Sequence, residues 1–207
     1  MSIAREGWPF IGALLALGAL LAWRYPWPAA GLLLLGLFCA FFFRDPERAL
    51  PPGDALVLSP ADGKVVVVGA APEGSAPGPG ALQVSIFLSI FDVHVNRSPV
   101  AGLVERVDYH AGEFLPAWDE KASLRNEQNT VTVDRDGQRV VFKQIAGLIA
   151  RRIVFKKKAG DRVFRGERVG MIRFGSRVDL LLPAAARLRV RLGEHVAGGS
   201  SVIAELP

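Results

Sequence analysis

The dipeptide Gly-Ser occurs three times in this chain, and in one of them it falls where a strand should run uninterrupted. Gly74-Ser75 lies in a Pro/Gly-rich stretch, and Gly199-Ser200 in a GGSS turn near the C-terminus. Gly175-Ser176 instead separates MIRF from RVDLLLP, two runs that read as β-strand. Glycine within a strand marks a bulge, a strained bend or a close backbone approach. A serine hydroxyl becomes a nucleophile only when a base takes its proton, so the histidines come next. There are three. His94 lies in SIFDVHVNRSP, directly after an apolar run and beside Asp92, Asn96 and Arg97; His110 follows Tyr109 in a short run, and His195 sits in a turn-like GEH. Asp62 precedes glycine in SPADGKV, a usual turn position. Residue types alone do not join these distant segments into a site.

The elements that would have to position them are mostly strands. From Arg44 onward, runs rich in Val, Ile and Phe alternate with Gly, Pro and Asp turns: ALVLSPADG, KVVVVG, LQVSIFLSI, NTVTVDRDGQ, RVVFKQIAG, RIVFKKKAGD, RVGMIRFGS, RVDLLLP and RLRVRLGE. This pattern predicts a mainly β domain over 44–207, a single sandwich or barrel-like unit. DRDG at 134–137 signals a hairpin. Residues 112–128 are expected to hold a short helix, and 70–81 form a Pro/Gly loop with little further information.

The first 43 residues differ. Residues 8–23 and 26–43 carry no charge apart from their flanks, with Trp8, Trp23, Tyr25 and Trp27 at the ends. As helices they would be roughly 24 and 27 Å long, slightly short of a ~30 Å hydrocarbon core. They predict an N-terminal hydrophobic helical hairpin at the cell membrane, the β domain on the cytoplasmic side. Half of the residues are hydrophobic and mean hydropathy is +0.27, an excess concentrated before Arg44. The formal charge is +5 and the isoelectric point about 9.8. Ten Lys or Arg lie between Leu148 and Arg177, opposed only by Asp161 and Glu167. Such a stripe suits nucleic acid or an anionic lipid surface; the apolar N-terminus selects lipid over nucleic acid. Cys39 is the single cysteine, so neither a disulfide within the chain nor a cysteine-based metal site is expected.

Taken together, SPADGKV with Asp62, IFDVHVNRSPVAG with His94, QIAGLIARRI with Arg151 and Arg152, and GMIRFGSRVDLLLP with Gly175-Ser176 resemble the phosphatidylserine decarboxylase family. The resemblance is to its short, membrane-anchored bacterial and archaeal members. FFFRDPER after the apolar segment fits as well, and the likeness runs in order from about Arg5 to the C-terminus. It implies a zymogen that cuts itself between Gly175 and Ser176 into a large chain, 1–175, and a small chain, 176–207, which stay associated. Ser176 would become a pyruvoyl group, the covalent cofactor, with no metal. That group would form a Schiff base with phosphatidylserine and release phosphatidylethanolamine. His94 and Asp62 are the implied base and its orienting partner, and Gly175 leaves room for the tetrahedral intermediate. Arg97, Arg151 and Arg152 are candidates for the lipid phosphate or carboxylate, since guanidinium makes bidentate oxyanion contacts. Longer members carry Asp-x-His-x-x-His, whereas here Asp92-Val-His94-Val-Asn-Arg97 puts arginine second. His94 therefore serves both steps, or His110 contributes. An archaetidylserine-type ether lipid, or a non-catalytic lipoyl-like β module, fits the same elements, and homo-oligomerisation stays open.

Overall fold

The structure, a computed structural model, describes residues 2–113, 115, 125–147, 152–173 and 176–207. Gly175 and Arg151 lie outside the described residues, as does most of the helix expected within 112–128. The chain divides into two compact units, Met1–Glu47 and Arg48–Pro207.

In the first unit, β1 (Ser2–Ile3) pairs antiparallel with β2 (Arg44–Asp45). Between them run α1 (Trp8–Leu21) and α2 (Pro26–Phe42), each with proline in its first turn, where the missing N–H loses no helical bond. The helices are antiparallel and close: a Cβ added at Gly18 would meet Leu33, and one added at Gly36 would meet Leu15. Small residues at such a contact let two backbones approach. Trp23 (96% exposed), Trp27 (86%) and Leu20 (77%) remain outside. At 14 and 17 residues, the helices are shorter than the apolar runs that encode them. Ala22–Tyr25 are taken by the turn, where the Tyr25 N–H bonds to the Leu21 carbonyl at 2.8 Å. Among the described residues no helix is long and apolar enough to cross a membrane. The two apolar runs thus form a pair of short helices.

The second unit is mainly β. In chain order its strands are β3 (Leu56–Leu58), β4 (Gly63–Ala70), β5 (Leu82–Leu88), β6 (Val95–Arg97), β7 (Gly102–His110), β8 (Gln128–Arg135), β9 (Gln138–Ala146) and β10 (Ile153–Phe155). They continue with β11 (Arg162–Val163), β12 (Arg168–Ile172), β13 (Ser176–Leu182), β14 (Arg187–Leu188), β15 (His195–Val196) and β16 (Val202–Glu205). One eight-stranded sheet, curled into a half-barrel, runs β11-β7-β8-β9-β13-β5-β4-β15. Two three-stranded sheets, β10-β12-β6 and β14-β16-β3, complete the unit. This refines the expected single sandwich or barrel.

Alternation explains the core. Val140 and Phe142 on β9, Val178, Leu180 and Leu182 on β13, and Val84, Ile86 and Leu88 on β5 are all buried in one apolar cluster. They occupy alternate positions, so one face of the large sheet is mostly apolar. The hairpin read from DRDG is present: Arg135 pairs with Gln138 across Asp136 and Gly137, whose φ values are 51° and 84°. Both are positive, as a two-residue type I′ turn requires.

Candidate active site

β13 begins on Ser176. Its backbone pairs with Leu88 of β5 on one side and Ala146 of β9 on the other, so the serine opens a strand inside the largest sheet. Cross-strand partners share a face, and Ser176 therefore points with Val178 into the apolar side. It is fully buried, and among the described residues its Oγ has no hydrogen-bond partner. An unsatisfied buried hydroxyl costs ~1–3 kcal/mol, and such an exception asks for a functional explanation.

His94 reaches the same region through β5. After Leu88, opposite Ser176, the chain turns over Ser89–Asp92: the Asp92 N–H bonds to the Ser89 carbonyl, and Asp92 Oδ2 accepts from the Ser89 N–H (2.8 Å) and Oγ (2.7 Å). His94 follows, fully buried, with Nδ1 2.9 Å from the Asp92 carbonyl oxygen. A carbonyl can only accept, so Nδ1 carries the proton, and Nε2 is the nitrogen left to exchange one. The His94 carbonyl accepts from Ile172 N–H at 3.3 Å. That bond ties the histidine to β12, four residues before Ser176.

Asp62 stands at the head of β4. Lys64 pairs with Phe87, so this end of β4 lies two strands from Ser176, about 10 Å at ~4.8 Å per strand. Its carboxylate accepts from Arg48 Nη2 (2.6 Å) and from the Gly198 N–H (2.7 Å). Gly63, with φ +146°, lets the chain enter here: a side chain would collide with the Phe87 carbonyl. Through these two bonds Asp62 holds the turn at Gly198, and the Asp92 carbonyl bonds His94 Nδ1.

Arg97 is buried, donates from Nη1 to the Gly166 carbonyl at 3.1 Å, and lies against Gly199. Arg152 is exposed and its carbonyl accepts from Arg173 N–H at 3.4 Å, three residues before Ser176. His110 ends β7 beside Gln128 of β8, exposed and three strands from β13. The basic stripe is not one surface. Arg177 is buried and paired with Asp179 (Nε–Oδ1 2.6 Å), Lys157 pairs with Glu167 (2.6 Å), and Arg165 donates to the Pro51 carbonyl (2.8 Å).

Two features were not singled out from the sequence. Asp92 and Asn96 were noted only as polar company for His94, yet Asp92 fixes its tautomer, and Asn96 ends a buried amide chain. Their signal was polarity at the end of an apolar run. The second feature lies on the other face of β13, where Arg177 and Asp179 border a cleft of about 680 Å³ with Gln83, Lys143 and loop residues 70–76. The Pro/Gly loop thus covers the side of the sheet away from the Ser176 hydroxyl.

A mainly β chain with a buried, unpartnered serine at the head of an inner strand, and a histidine of fixed tautomer tied in close by, has the parts of an enzyme site. Comparison with known proteins names the class. A family model for phosphatidylserine decarboxylase matches residues 35–204. The chain is 53% identical over 205 residues to a phosphatidylserine decarboxylase proenzyme of Solibacter usitatus, covering 99% of this chain and 97% of that protein. It is 52% identical to the proenzyme of Symbiobacterium thermophilum, with 99% and 96% covered, and 49% identical over 174 residues to that of Amoebophilus asiaticus, with 84% and 77% covered. The chain belongs to the phosphatidylserine decarboxylase family.

Proposed function

We propose that this chain is a precursor that cuts itself between Gly175 and Ser176, converts Ser176 to a pyruvoyl group, and decarboxylates phosphatidylserine to phosphatidylethanolamine. The observation that carries this reading is the buried, unpartnered Ser176 Oγ at the head of β13 in a chain of this family.

In the first reaction His94 Nε2 takes the Ser176 hydroxyl proton as Oγ attacks the Gly175 carbonyl. The peptide C–N bond breaks, the nitrogen takes a proton, and an ester joins Gly175 to Ser176 Oγ. Loss of the Ser176 Cα proton then expels the Gly175 carboxylate, which ends the 1–175 chain. Water replaces the enamine nitrogen as ammonia and leaves a ketone at position 176. The site fits that outcome: a ketone has no hydrogen to donate, so the orphan donor of Ser176 disappears. The pyruvoyl group supplies an electron sink for the pair released as carbon dioxide leaves. The two chains stay associated, because β13 is hydrogen-bonded to β5 and β9 along its length.

Arg151 and Arg152 are proposed to meet the lipid headgroup's anionic oxygens, with Arg97 adding positive charge from within the fold. The α1–α2 pair, with its outward Trp and Leu side chains, is proposed to hold the protein at the membrane. Its lengths of about 21 and 26 Å at ~1.5 Å per residue suit embedding in one face of the bilayer. The β unit would lie on the cytoplasmic side.

Intact mass tests the reading. Wild-type protein is expected as two polypeptides, 1–175 and a fragment starting at 176 that resists Edman degradation and is reduced by borohydride. Ser176→Ala is expected as one whole, inactive chain. A folded, membrane-reconstituted wild type that stays whole would sink the proposal.

A further inference from the structure

Three carboxamides form a chain through the core. Asn129 Nδ2 on β8 donates to Gln144 Oε1 on β9 at 3.0 Å, and Gln144 Nε2 donates to Asn96 Oδ1 on β6 at 2.8 Å. All three residues are buried, Gln144 and Asn96 completely. Asn129 gives to Gln144 and Gln144 gives to Asn96, and the last group, Asn96 Nδ2, is left over. It is buried and has no hydrogen-bond partner among the described residues. The chain is built into the fold: Gly170, backbone partner of Asn96, has Gln144 Nε2 only 3.1 Å from where its Cβ would be. A larger residue at 170 would push Gln144 away.

The amide chain crosses the face of the sheet that carries Ser176. Gln144 pairs with Val178, one pleat from the Ala146–Ser176 pair and on the same face, about 7 Å along the strand at ~3.3 Å per residue. Asn96 lies on that face through its bond to Gln144, two residues after His94. Two unsatisfied groups, a hydroxyl and an amide, thus face an otherwise apolar region. Resting on the decarboxylase reading above, we propose that Asn96 Nδ2 binds the carboxylate of the substrate's serine headgroup and is a catalytic residue of the second reaction.

A neutral donor suits this task better than an arginine. The carboxylate loses its charge as carbon dioxide forms, so a full positive charge would stabilise the starting state more than the transition state and slow the step. An amide orients the group, and its own desolvation has already been met in the fold.

The test uses full-length protein in mixed micelles, with Asn96→Ala and Asn96→Asp. Both variants are expected to self-cleave at position 176, which also reports that they fold. Turnover of phosphatidylserine should fall ~10- to 100-fold for Ala, the loss of a hydrogen bond to a charged group, and further for Asp, whose carboxylate repels the substrate's. Reductive trapping of phosphatidylethanolamine, which has the amine but no carboxylate, should match wild type. Equal loss of trapping with both lipids, loss of self-cleavage in both variants, or wild-type turnover in either would each overturn the assignment. Failure of wild-type protein to cleave would instead refute the decarboxylase reading itself.

Discussion

Replacing Ser176 with alanine should make the uncut protein more stable. The hydroxyl is fully buried, and among the described residues no partner accepts from it or donates to it. Its desolvation therefore stands uncompensated in the folded state, whereas in the unfolded chain water satisfies it. A buried donor left in this condition costs ~1–3 kcal/mol. Alanine removes the oxygen and keeps the Cβ, giving up only a few ~0.1–0.2 kcal/mol dispersion contacts. The expected net gain is about 1–2 kcal/mol, or ~2–8 °C in melting midpoint for a unit of this size. Because wild type would be cut, the comparison must be made between whole chains: His94→Gln against His94→Gln with Ser176→Ala. Intact mass confirms that both are uncut, and urea midpoints in detergent micelles read the difference. If the Ser176→Ala chain were equally or less stable, the hydroxyl would be hydrogen-bonded in solution, and the desolvation cost assigned to this position would not exist.

Asp179→Ala is expected to remove ~3–5 kcal/mol from the precursor, since it leaves the Arg177 guanidinium buried without its carboxylate; a loss below 1 kcal/mol by urea titration would show that water or Ser85 carries the charge instead. Full-length protein should remain with membranes through high-salt and alkaline washes, and a chain starting at Arg48 should not; release by salt alone would mean that surface charge, not the apolar helices, holds it.

How much of this was legible in the sequence depended on distance along the chain. The Asp136-Gly137 turn is a local signal, since both residues must take positive φ, and it was read directly. Gly175-Ser176 was visible as a break in a strand pattern, but that β13 lies between β9 and β5 was not, because register is set by partners some 30 to 100 residues away. Asp62 looked like a turn residue and does hold a turn, yet its partner Gly198 is 136 residues distant. Asn129, Gln144 and Asn96 looked like ordinary polar positions in alternating strands; only packing of β6 over β9 lines up their amides. Arg177 was counted with a basic stripe, and its burial against Asp179 follows from β13 being covered on both faces.

The place of β13 has a consequence for the lifetime of the protein. Residues 176–207 contribute β13 to the inside of the large sheet, β15 to its edge, and β14 and β16 to a second sheet. While the chain is whole, these segments find their partners at the high effective concentration of a tether. After the cut, a denatured molecule would have to recover an inner strand from free solution, against competition from aggregation of the exposed sheet. Folding would therefore run in one direction only, the precursor renewable and the mature form not. Survival of activity would be governed by the rate of unfolding rather than by its equilibrium. Refolding yield from urea should be high for the Ser176→Ala chain and low, but restorable by added 176–207 peptide, for the cut protein.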